Sequence, residues 1–484
     1  MRARRLWNAV TLGLLCLHLP VRADPPARRP ALSRDVLRDW EAARRDARTQ
    51  RPPPPPPGPM VFPLERTHLA NGLEVVLAPW PLDPRVRVAV EYRVGDGDGP
   101  DGHRETAHAV EHLLFREAPD VPAIGPSIAA FMAGGAGGTT YSDRTVYESE
   151  VEPEHLERLL WLEGARMRAA ERFIHDAAIA RERPILQHEE ALVTTRWTRL
   201  RSLALRAAFP AAHRSHGAWS PPTAIDALRV EHLRELVRDR YAPGNARLVV
   251  TGGFDPARVR PWIEHYFADI PARPVPPRPR DDGLLELART REVRVRSTFP
   301  ETVVLVWPGP EVDACHDVDL VLLAAALRRA VAARPDFGQP ERAEAHWRVE
   351  TLHLGRQVFL VFEANADLGG GDRAATLRAM DTALTAARES FEALAPVDRS
   401  LFDTIGDALV DEARQLGART ERIVATPSPD DPGGYRCAHR AVRLAEPATV
   451  RDLARRWLTA RRLVLQFQRD VALVGLHVDA VEPP

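Results

Sequence analysis

The stretch His108-Ala109-Val110-Glu111-His112 constrains this chain more than any other. Two histidines four residues apart, if the segment is helical, project from one face of the helix. At that spacing two imidazoles suit two corners of a tetrahedral zinc site. Glu111 lies one residue before the second histidine, so it borders the metal position without having to ligate it. A carboxylate placed there can take a proton from a water whose pKa the ion has lowered to about 7. The competing reading is a partly exposed helix with two incidental histidines.

The third ligand decides between them, because a catalytic zinc takes three protein ligands and keeps one position open. Downstream lies Ala180-Arg181-Glu182-Arg183-Pro184-Ile185-Leu186-Gln187-His188-Glu189-Glu190. Glu182 and Glu189 are seven apart and share a helix face two turns from each other. Such a pair offers one ligand and one outer carboxylate that orients a ligand. His188 and Glu190 fall on other faces. Without the upstream histidines this helix reads as a solvated charged surface.

The rest of the chain is organised around two similar halves. At 484 residues there is room for two or three domains, and 44% hydrophobic content with a net charge of −1 argues against wholesale disorder and against a nucleic-acid binder. All 66 basic residues are arginine, which with the many Ala and Pro reads as coding bias. Residues 1–23 read as a signal peptide, with Arg2, Arg4 and Arg5 before an apolar Ala9 to Leu19 too short to span a bilayer, and Val21-Arg22-Ala23 as cleavage site. Leu14 and Leu15 before Cys16 argue against a lipid anchor there, and no later stretch is long and apolar enough for a transmembrane helix. After cleavage Cys315 and Cys437 remain, either as one disulfide or as two buried thiols.

Residues 24–60 form a Pro/Arg-rich linker ending in Pro52 to Pro57, a stiff tether. A second Pro-rich linker, 273–283, separates a metal-bearing domain, 61–272, from a C-terminal domain, 284–484. Val86, Val88, Val90, Tyr92 and Val94 alternate as in a strand ahead of the histidine helix. A glycine run, Gly134-Gly135-Ala136-Gly137-Gly138, then precedes a strand near Thr145 to Val151 and long helices. The second half repeats this opening with strands near Val293 and Thr302 to Trp307 and a helix from about Asp317 to Ala332, lacking the histidine motif. The expected fold is α+β. Its two homologous halves come from a diverged duplication, each a mixed or antiparallel sheet with helices packed on one face.

In its motifs the chain resembles the pitrilysin/insulinase family of zinc metallopeptidases. The handed order His-x-x-Glu-His is the inverzincin signature. Glu182 and Glu189 match that family's downstream Glu-x6-Glu pair. Asn71-Gly72-Leu73-Glu74-Val75-Val76-Leu77 is similar to its opening hairpin, Asp143-Arg144-Thr145-Val146-Tyr147 to its Asp-x-Thr-x-Tyr strand, and Tyr241-Ala242-Pro243-Gly244-Asn245 to its Tyr-x-Pro-x-Asn segment. The resemblance runs from about Leu69 to Pro271. It implies one Zn2+ per chain on His108, His112 and Glu189, with catalytic roles for Glu111 as base and Glu182 as its supporting carboxylate.

It also implies an endopeptidase for unfolded peptides, which the signal peptide would make an exported one, periplasmic or secreted. Substrate would lie as an added strand along the Thr145 to Val151 edge. Two departures stand out. Gly137 occupies the place of a substrate-contacting Asn; either the glycines let backbone approach a peptide, or the loop needs positive φ. The C-terminal half lacks the family's Arg/Tyr clamp: the only Tyr after residue 266 is Tyr435, in a Pro/Gly-rich loop, and Arg328 to Arg356 offers arginines alone. A homologous clamp-bearing partner subunit, or a homodimer, is therefore expected. The alternative function is a non-catalytic binding or assembly subunit.

Overall fold

The computed structural model describes residues 63–99, 105–116, 132–195, 204–205, 208–210, 213, 223–277, 283–297, 300–311, 316–337, 347–354, 357–394, 399–425, 432–470 and 477–479. The signal-like segment 1–23, the linker 24–60, Cys16 and Cys315 lie outside these residues.

In chain order the first half contains β1 (Glu65–His68), β2 (Glu74–Pro79), β3 (Val86–Tyr92), α1 (Thr106–Leu113), β4 (Met132–Thr140), β5 (Thr145–Val151), α2 (Leu156–Arg168), α3 (Asp176–Thr195), α4 (Val230–Arg240), β6 (Ala246–Gly252) and α5 (Pro256–Phe267). The second half contains β7 (Arg291–Ser297), β8 (Thr302–Glu311), α6 (His316–Ala332), β9 (Trp347–Leu354), β10 (Gln357–Asn365), α7 (Arg373–Glu392), α8 (Arg399–Arg414), α9 (Leu416–Ala425), α10 (Tyr435–Leu444), α11 (Pro447–Trp457), β11 (Leu463–Arg469) and β12 (His477–Asp479).

Each half builds a six-stranded mixed sheet, in the orders β1-β2-β6-β3-β5-β4 and β12-β7-β11-β8-β10-β9. The five strands β2 to β6 map one for one onto β7 to β11. Both sheets hold a single parallel pair at the same place, β2 with β6 and β7 with β11. Only the outermost strand differs, supplied from the N-terminal side in one sheet and the C-terminal side in the other. The duplication expected from the sequence is thus present in the strand connectivity. α1 and α6 take equivalent places, each between the second and third of these five strands in chain order.

Inner strands are apolar on both faces because both faces are covered. On the first sheet Val75, Leu77, Val88, Val90, Tyr92, Leu248 and Val250 face a core shared with the helices. The alternate residues Val76, Ala78, Ala89, Val146 and Val249 face Ile423 and Val424 of α9, from the other half. The second sheet shows the converse. Val304, Val306, Phe359, Val361, Leu463 and Leu465 pack on Ala204, Leu205, Ala208 and Phe209, from the first half. Thr251 and Thr420 hydroxyls meet at 2.5 Å, and the Arg247 guanidinium donates to the Val424 carbonyl at 2.9 Å. Each half therefore completes the other's core, and neither sheet keeps both apolar faces dry by its own half's residues alone.

Three expectations need correction. The glycine run is not a loop: it lies inside β4, and Gly137 does not have positive φ. β5 is not an edge strand, since β3 and β4 pair with it on either side; the edge on that side is β4. The pairing slips between Met132 and Ala136, the irregularity that a run without Cβ atoms permits. Tyr435 is not in a loop but opens α10, wholly buried with the Arg422 guanidinium 5.1 Å from its ring centre. Cys437, on the same helix, is disulfide-bonded.

Candidate metal centre

α1 is only eight residues long and almost entirely buried. Ala107, Ala109, Val110 and Leu113 bind it into the core beneath the first sheet, which turns the histidine face toward α3. The rings of His108 and His112 stand 4.8 Å apart, nearly perpendicular. α3 brings Glu189 to both: a Glu189 carboxylate oxygen lies 3.5 Å from Nε2 of His108 and 3.2 Å from Nε2 of His112. One ligand atom from each of the three residues falls within 4.8 Å of the others. Tetrahedral zinc with ligands at about 2.0–2.2 Å needs donor separations of about 3.4 Å, so two imidazoles and one carboxylate at this spread fit that ion with small side-chain adjustment. Among the described residues no other group of three His, Cys, Asp or Glu converges in this way.

Glu182, two turns earlier on α3, approaches the opposite side of His112, its carboxylate 3.4 Å from Nδ1. Arg116 grips the same carboxylate with two nitrogens, Nε to Oε1 at 2.7 Å and Nη2 to Oε2 at 2.9 Å. Burial works to raise the Glu182 carboxyl pKa; His112 and Arg116 outweigh it and hold the group below the usual carboxylate range. Burial likewise opposes ionisation of Glu189, and the two histidines reverse that and pull its carboxyl far down. Desolvation pushes against protonated His108 and His112, but their carboxylate neighbours prevail and raise both imidazoles above their ordinary value.

Glu111 is buried at 3% exposure, and Oε2 accepts a hydrogen bond from the Thr140 hydroxyl at 2.5 Å. Gly138, two residues earlier on β4, lies so close that a Cβ there would come within 2.5 Å of a Glu111 oxygen. Around Gly137 a Cβ would meet nothing within 4 Å.

The expected set of His108, Glu111, His112, Glu182 and Glu189 is thus gathered at one place. His188 is exposed on α3 and outside it, and the Glu190 side chain lies outside the described residues. Four contributors were not read from the sequence: Glu105, Arg116, Gly138 and Thr140. Arg116, four residues after His112, carried a readable signal in that spacing, although α1 itself ends at Leu113. Gly138 and Thr140 carried none, since only strand pairing brings β4 beside α1.

The duplicated six-stranded α+β unit is shared with proteins of known structure. Residues 227–355 match the family model described as Peptidase M16 inactive domain. A protease from Helicobacter pylori superimposes with a TM-score of 0.68 at 17% identity, over 84% of this chain and 100% of that one. The periplasmic protease PqqL from Escherichia coli superimposes with a TM-score of 0.64 at 16% identity, over 86% of this chain and 49% of that one. An M16 inactive domain from Pseudomonas fluorescens gives 0.62 at 13% identity, over 86% of this chain and 100% of that one. The chain therefore has the two-sheet fold of M16 peptidases, and spans about half of PqqL. No curated protein matches it in sequence. Among the described residues no helix is long and apolar enough to cross a membrane.

Proposed function

We propose that this protein is an exported zinc metalloendopeptidase that hydrolyses unfolded peptides. The observation that carries the reading is the convergence of His108, His112 and Glu189 within 4.8 Å, on a helix that also presents Glu111. The matched inactive-domain region begins at residue 227, beyond Glu189, so that description applies to a part of the chain holding none of these residues.

Zinc held there would acidify a water and polarise the scissile carbonyl. Glu111, its carboxylate held by the Thr140 hydroxyl, would serve as the general base that takes up a proton and returns it to the departing amine. Glu182, fixed by Arg116, would accept from Nδ1–H of His112 and so leave its Nε2 lone pair available to a metal. Peptide lies along β4, the edge strand next to β5 among the described residues, held through its backbone. Glycines at Gly137 and Gly138 allow that close approach. This places the added strand beside Glu111 rather than along β5.

A chain-length partner follows from the same reading. This chain spans half of PqqL, and on this reading a second chain of the same fold, a homologous clamp-bearing subunit or another copy, would face the metal site and support the peptide. Export follows from residues 1–23, and the PqqL structure is described as periplasmic. The competing reading, a non-catalytic binding subunit, rests on the missing clamp.

The test is metal analysis and cleavage of a quenched unfolded peptide by purified protein, alone and with a titrated partner. Stoichiometric zinc and hydrolysis, both lost in His108→Ala, are expected. Zinc retained in His108→Ala overturns the ligand assignment, and zinc without hydrolysis under any partner condition selects the binding subunit.

A further inference from the structure

The two metal-facing histidines are held in parallel ways, by one carboxylate each. Behind His112 stands Glu182, 3.4 Å from Nδ1. Behind His108 stands Glu105, its Oε2 3.1 Å from Nδ1. Both rings then turn Nε2 to the same Glu189 oxygen. Glu105 is buried, at 8% exposure, so this contact is shielded from solvent.

Its position on the helix makes the contact informative. Glu105 is the N-cap residue of α1, where a side-chain oxygen ordinarily accepts from a free backbone N–H of the first turn. Its carboxylate makes no such bond. It lies instead one turn along, three residues from His108, on the face that carries the histidines.

We propose that Glu105 is a positioning residue for the metal centre: its carboxylate accepts from Nδ1–H of His108, fixing the ring and tautomer that present Nε2 to zinc. This rests on the zinc reading above. A carboxylate behind a ligating imidazole orients the ring and increases its donor strength, and losing one weakens metal binding about 10–100-fold. The ligand set of two histidines and one glutamate is then braced on both imidazoles, by Glu105 from α1's own N-terminus and by Glu182 from α3.

Three variants separate this role from helix capping. Glu105→Ala removes both functions. Glu105→Ser installs a strong capping residue too short to reach His108. Glu105→Gln keeps an acceptor oxygen of the same reach without the charge. Zinc affinity is measured by competition with a chromophoric chelator at fixed pH, with the visible spectrum of the Co2+-loaded protein as a second readout and thermal unfolding of the metal-free forms as a control. The expectation is zinc binding weakened about 10–100-fold in both Glu105→Ala and Glu105→Ser, with Glu105→Gln between them and wild type, and an altered Co2+ spectrum. Recovery of wild-type affinity in Glu105→Ser alongside loss in Glu105→Ala makes Glu105 a cap and overturns the proposal. So does affinity within about twofold of wild type in both variants. Should wild type itself bind no zinc, the metal reading falls and this proposal with it; normal wild-type binding with unaffected variants removes this proposal alone.

Discussion

Thr140, the last residue of β4, donates its hydroxyl to Glu111 of α1 at 2.5 Å, tying the candidate base to the strand along which a peptide would lie. Thr140→Val keeps the shape and removes the donor. A hydrogen bond to a charged group contributes about 1.5–3 kcal/mol, so kcat/KM is expected to fall about tenfold or more while zinc content stays at the wild-type level. Steady-state kinetics with metal analysis on the same preparation checks this; zinc loss would show that Thr140 supports the fold of the site instead.

Glu111→Gln keeps the side chain's volume but cannot accept the proton. Hydrolysis should drop by about 10²–10⁴-fold with zinc retained, the loss expected on removing a general base. Undiminished turnover in this variant would take the base role from Glu111.

The two glycines on β4 should respond oppositely to the same change. Gly138→Ala drives a methyl within 2.5 Å of Glu111, so the carboxylate must move and activity falls. Gly137→Ala meets nothing within 4 Å and should leave folding and zinc binding intact. Melting curves and zinc affinities of the two variants test the local geometry directly; an equal loss of zinc affinity or stability in both would contradict it.

Arg116 clamps Glu182 through two nitrogens, and Glu182 stands behind His112. Arg116→Gln should loosen that carboxylate and weaken zinc binding about tenfold, less than a lost ligand would. Chelator competition measures it; an unchanged zinc affinity would make the clamp dispensable.

Away from the metal, Glu74 is buried among Arg66, Arg93 and Arg247. Burial pushes its carboxyl pKa up, and the three guanidinium groups together push it further down, below the usual carboxylate range. A folded-state value below the unfolded one gives stability that is present above about pH 4.3 and is lost as pH falls through the folded value. Glu74→Gln should therefore destabilise the protein at pH 7 and flatten the loss of stability as pH falls below about 4.3. Urea titrations of both proteins across roughly pH 3–7 read the difference, and parallel acid limbs would show that Glu74 does not carry it.

What the sequence determined by itself was the part carried by short-range periodicity. His108 and His112 share a face because a helix repeats every 3.6 residues, and Glu182 and Glu189 share one for the same reason. Alternation in Val86 to Tyr92 marked a strand, and the repeated order of elements marked the two halves. Arg116 and Glu105 lay within one turn of the histidines and were in principle readable by the same rule.

The tertiary structure decided what depends on which strands and helices become neighbours. A glycine run reads as a loop until it is paired on β5, where it becomes the sheet edge and displaces β5 from that place. Thr140 reaches Glu111 only through that pairing. The crossed packing, in which Ile423 and Val424 cover the first sheet and Phe209 covers the second, leaves no local pattern, because an apolar residue has the same sequence signature whichever core it enters. Burial is non-directional; the partner is chosen by the whole chain's closure, not by any stretch of it.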